Sequence, residues 1–242
     1  TQVLQNFDIQ TVIQGATAKL NEQQQAYVNG LKQSVVRGDV KEQQIRTYKQ
    51  LAAFWSDSAR AFIPFAYYTA EAAKLENSEK SLTFAAHLFL DNLMTEGEPA
   101  MQNWLATQAK VLFDQALTIN PANDSSKIGL GACYLFGSIS DNPMQGILKI
   151  REVVEKNPNN VFGQMMLGLG SKKSGQYDKA IEYMDRLVVV NPNHVQGQLL
   201  LGVAYMNKGN KDKARQQFEK VKQLDQDPAV QATVDSYLKD LK

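Results

Sequence analysis

The chain has 242 residues, 43% of them hydrophobic, enough to bury a sizeable interior. Its 26 Lys and Arg balance 25 Asp and Glu to a net charge of +1, and the sequence shows no basic stripe of the kind that phosphate-dominated binding of nucleic acid requires. A single cysteine, Cys133, excludes an intrachain disulfide, and the longest nearly apolar run, Leu199 to Met206, falls well short of the roughly 18 residues of a membrane span.

In chain order, Asp8 to Leu20 places Ile9, Val12, Ile13, Ala16 and Leu20 at helical spacing, interrupted by Gly15, and Glu22 to Val36 reads as a second helix ending before Gly38. Residues 45–228 then form an internal repeat. Three of its turns share one pattern: Asn120-Pro121-Ala122-Asn123, Asn157-Pro158-Asn159-Asn160 and Asn191-Pro192-Asn193-His194. The prolines lie 37 and then 34 residues apart, and each ends an apolar helical stretch because proline lacks the amide donor and clashes with the preceding turn.

The first and most divergent hairpin, about 45–78, carries Tyr48, Leu51, Ala52 and Trp55, then Ala72 and Leu75, with Pro64 near the start of its second helix, where proline is tolerated. The second, 79–123, has Leu82, Ala86, Phe89, Ala109, Phe113 and Ala116. An insertion around Thr95–Trp104 lets its second helix begin early. The third, 124–160, has Leu130, Gly131, Tyr134, Gly146 and Ile150, with three extra residues in Ser138–Pro143. The pattern is plainest in 161–194 (Leu167, Gly168, Ser171, Gly175, Ala180, Met184, Leu187, Val190). It returns 34 residues later in 195–228 (Leu201, Gly202, Tyr205, Gly209, Ala214, Phe218, Val221, Leu224). Small residues at Gly168, Ala180, Gly202 and Ala214 let paired helices approach, and large ones three or four positions on fill the gap. Pro228 opens a last helix to Leu241, with Val230, Val234, Tyr237 and Leu241 on one side.

This large–small–aromatic pattern resembles the tetratricopeptide repeat (TPR) family at nearly every signature position of 195–228, with Gln226 where a terminating proline is expected. The resemblance implies an all-α, right-handed α-solenoid of about five TPR-type hairpins. Residues 1–44 are then a tether and capping helices, and 229–242 a C-terminal cap that shields the last repeat. The chain also resembles bacterial TPR proteins with a short hydrophobic anchor before a soluble repeat region. On that likeness Thr1 to about Phe7 is a tether, and the domain faces the cytoplasm or periplasm, its membrane contact lying only in a segment outside this sequence.

Little chemistry is legible. His87 and His194 are far apart, and neither has metal-ligating neighbours at ligand spacing. Cys133 lies within an apolar helix, where it reads as a small buried hydrophobe. Gly168-Leu169-Gly170 has no preceding strand, so it is not a dinucleotide fingerprint. Pairs such as Glu152 with Glu155 and Asp178 with Glu182 are spaced as solvated helix faces. The expectation is a protein with no catalytic residue, no metal and no cofactor.

In the TPR family, positions 2, 5, 9 and 12 of each first helix line a concave groove. Carried over, they place Ser125, Ile128, Ala132 and Leu135 from the third hairpin, Phe162, Met165, Leu169 and Lys172 from the fourth, and Gln196, Leu199, Val203 and Met206 from the fifth on an apolar inner wall. The candidate partner-binding residues are therefore Ile128, Leu135, Phe162, Met165, Leu169, Lys172, Leu199, Val203 and Met206, facing an apolar peptide or helix. The first two hairpins offer Arg46, Lys49, Ala53 and Ser56, then Lys80, Thr83, His87 and Leu90. Of these Arg46, Lys49 and Lys80 are candidate contacts for an acidic peptide. The family's two-carboxylate clamp is absent, because only Lys49 matches it while Ala53, Phe84, Ser125 and Gly129 fill its other places. The sequence thus points to a scaffold binding a protein or peptide, not nucleic acid. Self-association into a homo-oligomer and a regulatory domain binding a small ligand stand as alternatives.

Overall fold

The computed structural model describes residues 7–37 and 40–241, so only Phe7 of the expected tether falls within it. The described residues contain thirteen α-helices and no strand. They fall into two compact units, divided between Pro143 and Met144.

The first unit holds α1 (Ile9–Ala18), α2 (Glu22–Arg37), α3 (Lys41–Ala53), α4 (Phe62–Glu76), α5 (Glu79–Leu93), α6 (Pro99–Ile119) and α7 (Asp124–Phe136). Helices α3 with α4, and α5 with α6, pack as antiparallel hairpins; α7 lies on both α5 and α6. The Trp55 ring is fully buried with Leu51, Ile13 and Val28. A π-helical turn over Phe54–Ser58 widens the end of α3 there, and nothing in the periodicity announces it. The insertion after Met94 becomes a loop and the early turns of α6, which Pro99 opens under a cap from the Glu98 carboxylate. Those turns present Trp104, whose ring meets Phe89 at 5.5 Å and Phe7 at 4.6 Å between centroids. The longer helix thus receives the Phe7 ring. Helix α1 itself packs on α4.

The second unit holds α8 (Met144–Lys156), α9 (Val161–Lys173), α10 (Tyr177–Val190), α11 (Val195–Asn207), α12 (Lys211–Leu224) and α13 (Pro228–Asp240). Here α9 pairs with α10 and α11 with α12, while α8 lies on α9 and α10 on α11. The close approach of α11 to α12 depends on Gly202, where a Cβ would come within 2.6 Å of the Phe218 ring. The turn between them uses Gly209 at φ 82°, a backbone state that costs glycine nothing. Phe218, Leu187, Leu201 and Val221 form its core.

Each Asn-Pro turn hands over to the next helix through one device. The side chains of Asn123, Asn160 and His194 accept from the backbone N–H of Ser126, Gly163 and Gly197 at 2.7, 2.8 and 3.0 Å. These satisfy an amide donor that a helix start otherwise leaves without a partner.

Candidate functional site

In the second unit, Phe162, Met165, Leu169 and Lys172 recur along α9 at the spacing that places residues on one helix face, and all four are half-buried. On α11, Leu199 and Met206 are half-buried and Val203 is buried, 6% exposed. Met165, Leu169, Leu199 and Met206 pack at the margin of the core rather than within it, and α9 touches α11 directly. Both helices thus carry large apolar side chains that stay partly exposed. Helix α13 packs on α12: Tyr237 stacks on Phe218 with centroids 5.1 Å apart and planes 9° from parallel, and Lys222 pairs with Asp235 at 2.6 Å.

In the first unit, Ile128 is fully buried and Leu135 is 9% exposed, so these two residues of α7 serve the interior. The face that α7 turns to α5 is polar. Ser126 and Thr83 share a hydroxyl hydrogen bond of 3.0 Å, Ser125 meets His87 Nε2 at 2.8 Å, and the Asn123 amide donates to Glu79. The His87 ring stands edge-on to Phe113, 5.3 Å between centroids. Burial lowers the His87 pKa, with Asp91 opposing. Sequence reading placed Thr83, His87 and Ser125 on a groove but missed that His87 bonds Ser125 and that Thr83 bonds Ser126; a hydroxyl or imidazole every turn on facing helices was the available signal.

Arg46 and Lys80 are exposed and make no ion pair with any described residue, whereas Lys49 pairs with Glu76. Cys133 is buried, which pushes its thiol up to about 12, far from the thiolate a nucleophile needs. Among the described residues, no three His, Cys, Asp or Glu side chains are grouped to hold a metal ion, and no helix is long and apolar enough to cross a membrane.

Helix pairs packed in series within each unit and joined by Asn-Pro turns define a protein of the α-solenoid class. Residues 172–235, within the second unit, match the tetratricopeptide repeat family. Among solved structures the chain is similar to TTC0263, a thermophilic TPR protein of Thermus thermophilus, at 15% identity over 82% of this chain and 99% of that one, with a TM-score of 0.60. It is also similar to YrrB, described as a TPR protein with an unusual peptide-binding site (19% identity, 78% and 91% covered, TM-score 0.48). A third likeness is to MamA of Desulfovibrio magneticus RS-1 (22% identity, 79% and 98% covered, TM-score 0.49). At such identities the likeness is one of fold. No curated protein matches the sequence.

Proposed function

We propose that this chain is a non-catalytic interaction scaffold, binding a peptide or amphipathic helix of a partner protein along the wall formed by α9 and α11. The observation that carries this reading is the state of Met165, Leu169, Leu199 and Met206: four large flexible apolar side chains on two adjacent helices, each half-buried and at the edge of the core. Methionine adapts to varied apolar partners, and the remaining exposed area of such a wall is gained only when something covers it. Lys172 at the end of the row gives a partner one charge to read.

The test compares wild type with Leu169→Asp plus Leu199→Asp, and with the gentler Met165→Gln plus Met206→Gln, after circular dichroism has shown each to be helical. Proteins captured from the native lysate by wild type should be lost from both variants. Capture that survives in a folded variant would sink the reading.

A further inference from the structure

The first unit carries an open cavity of about 250 Å³ where α3, α4 and α5 meet. Its floor is Ala52, Ala72 and Ala73, at 7%, 3% and 2% exposure; three small residues there leave room that longer side chains would have filled. Phe84 stands at its rim with 57% of its surface exposed, the most exposed phenylalanine of the first unit. A half-exposed aromatic ring beside an alanine floor is an apolar contact with one side missing. The volume lies below the roughly 300–1,000 Å³ of sites that enclose a drug-sized ligand, so it fits one large side chain rather than a whole small molecule.

Charge then selects the kind of chain that side chain belongs to. Lys49 and Glu76 border the cavity and neutralise each other. One turn back from Lys49 on α3 stands Arg46, and one turn back from Phe84 on α5 stands Lys80. Helices α3 and α5 both pack on α4, and each cation stands one turn before a residue that lines the cavity, Lys49 and Phe84. Both cations are exposed and without an ion pair among the described residues.

We infer that this cavity is a second docking site, taking an acidic linear segment of a partner protein that inserts one aromatic or large aliphatic side chain against Phe84 and sets its carboxylates beside Arg46 and Lys80. The inference rests on the scaffold reading of the chain but not on the α9–α11 wall. It differs from a terminal-carboxylate clamp in what it recognises: the apolar side chain fixes the register, and the acidic groups flank it within the segment.

The probe is a fluorescein-labelled peptide of eight residues, rich in Asp and Glu, with one central Phe and an amidated C-terminus so that no terminal carboxylate contributes. Its binding is followed by fluorescence anisotropy. Saturable binding is expected, weakened about tenfold when the central Phe becomes Ala and about tenfold by Phe84→Ala, each the loss of one well-buried apolar contact. Arg46→Glu with Lys80→Glu should weaken it by about tenfold and flatten its salt dependence, in keeping with exposed pairs worth up to about fivefold each. All three positions are exposed, so the variants keep their helices. Leu169→Asp plus Leu199→Asp should leave this peptide's affinity unchanged. No saturable binding, or binding indifferent to Phe84→Ala, overturns the site. If instead the wall variant alone abolishes binding, the second site fails while the scaffold reading stands.

Discussion

His87 is the residue whose surroundings make the sharpest demand on solvent conditions. Its ring is half-buried between Phe113 and the Ser125 hydroxyl, and burial, opposed by Asp91, holds its pKa below the usual value near 6.5. In the unfolded chain it titrates normally. Between the lowered native value and about 6.5, the unfolded state therefore binds more protons than the native one, and stability falls as pH falls through that window. Above it the histidine is neutral in both states and costs nothing. Wild type should lose more stability between pH 7.5 and 5.5 than His87→Gln, whose amide can still reach Ser125. The difference is bounded by about 1.4 kcal/mol per pH unit for one proton. Urea unfolding at the two pH values measures it. Equal losses in both proteins would mean that the ring is solvated in the native state.

At the scale of the element, the turn is where this sequence is least transparent and most regular. Gln164 and Gln198 are both fully buried, and each donates its side-chain amide to a prolyl carbonyl six residues back: Pro158 at 2.6 Å and Pro192 at 2.8 Å. One glutamine thus closes each turn onto the helix that follows. Replacing either by Leu keeps the volume but removes the bond from helix to turn, at a cost of about 0.5–1.5 kcal/mol. Gln196→Leu, at an exposed neighbour, should stay within about 0.5 kcal/mol. Chemical denaturation of the three variants decides it, and equal effects would show that the prolyl carbonyls find water. The Asn-Pro turns, the small residues at Gly202 and Ala214, and the early start of α6 were legible because each follows from a rule about one residue's backbone or size. Gln164 was not. A glutamine within Phe162–Leu167 looks like a solvent-facing break in an apolar helix, and its role appears only once the preceding turn is folded over it. Phe84 was legible only as the residue filling one place of the absent clamp; that its ring borders an open cavity depends on the alanines packed beside it. On the inner wall, spacing placed Met165, Leu169, Leu199 and Met206 on one side of their helices. It could not show that Ile128, at a matching position, is enclosed, because depth depends on what packs above a residue rather than on its own period.

At the scale of the molecule, two units with separate cores should not unfold as one. Of the fully buried aromatic, Leu and Ile side chains, ten belong to the first unit, Trp55, Phe89 and Phe113 among them, and four, Phe218, Ile150, Leu187 and Leu201, to the second. Buried apolar area is the main favourable term, so the second unit is expected to yield first as denaturant rises. Repeat arrays lose two-state behaviour in this way when the coupling between neighbours is weak against differences in their own stability. The sequence supplies its own reporters. Both tryptophans, Trp55 and Trp104, lie in the first unit, whereas helices of both units contribute to the far-ultraviolet dichroism. In a urea titration the dichroism should therefore begin to fall at concentrations where tryptophan emission is unchanged, and its midpoint should lie below that of the fluorescence. Introducing a tryptophan at Tyr237, which already stacks on Phe218, would give the second unit a reporter whose transition follows the early phase. Superimposable curves from all three probes would show instead that the hairpins on either side of Pro143 melt as a single cooperative block, with interfacial energy large enough to override their unequal cores.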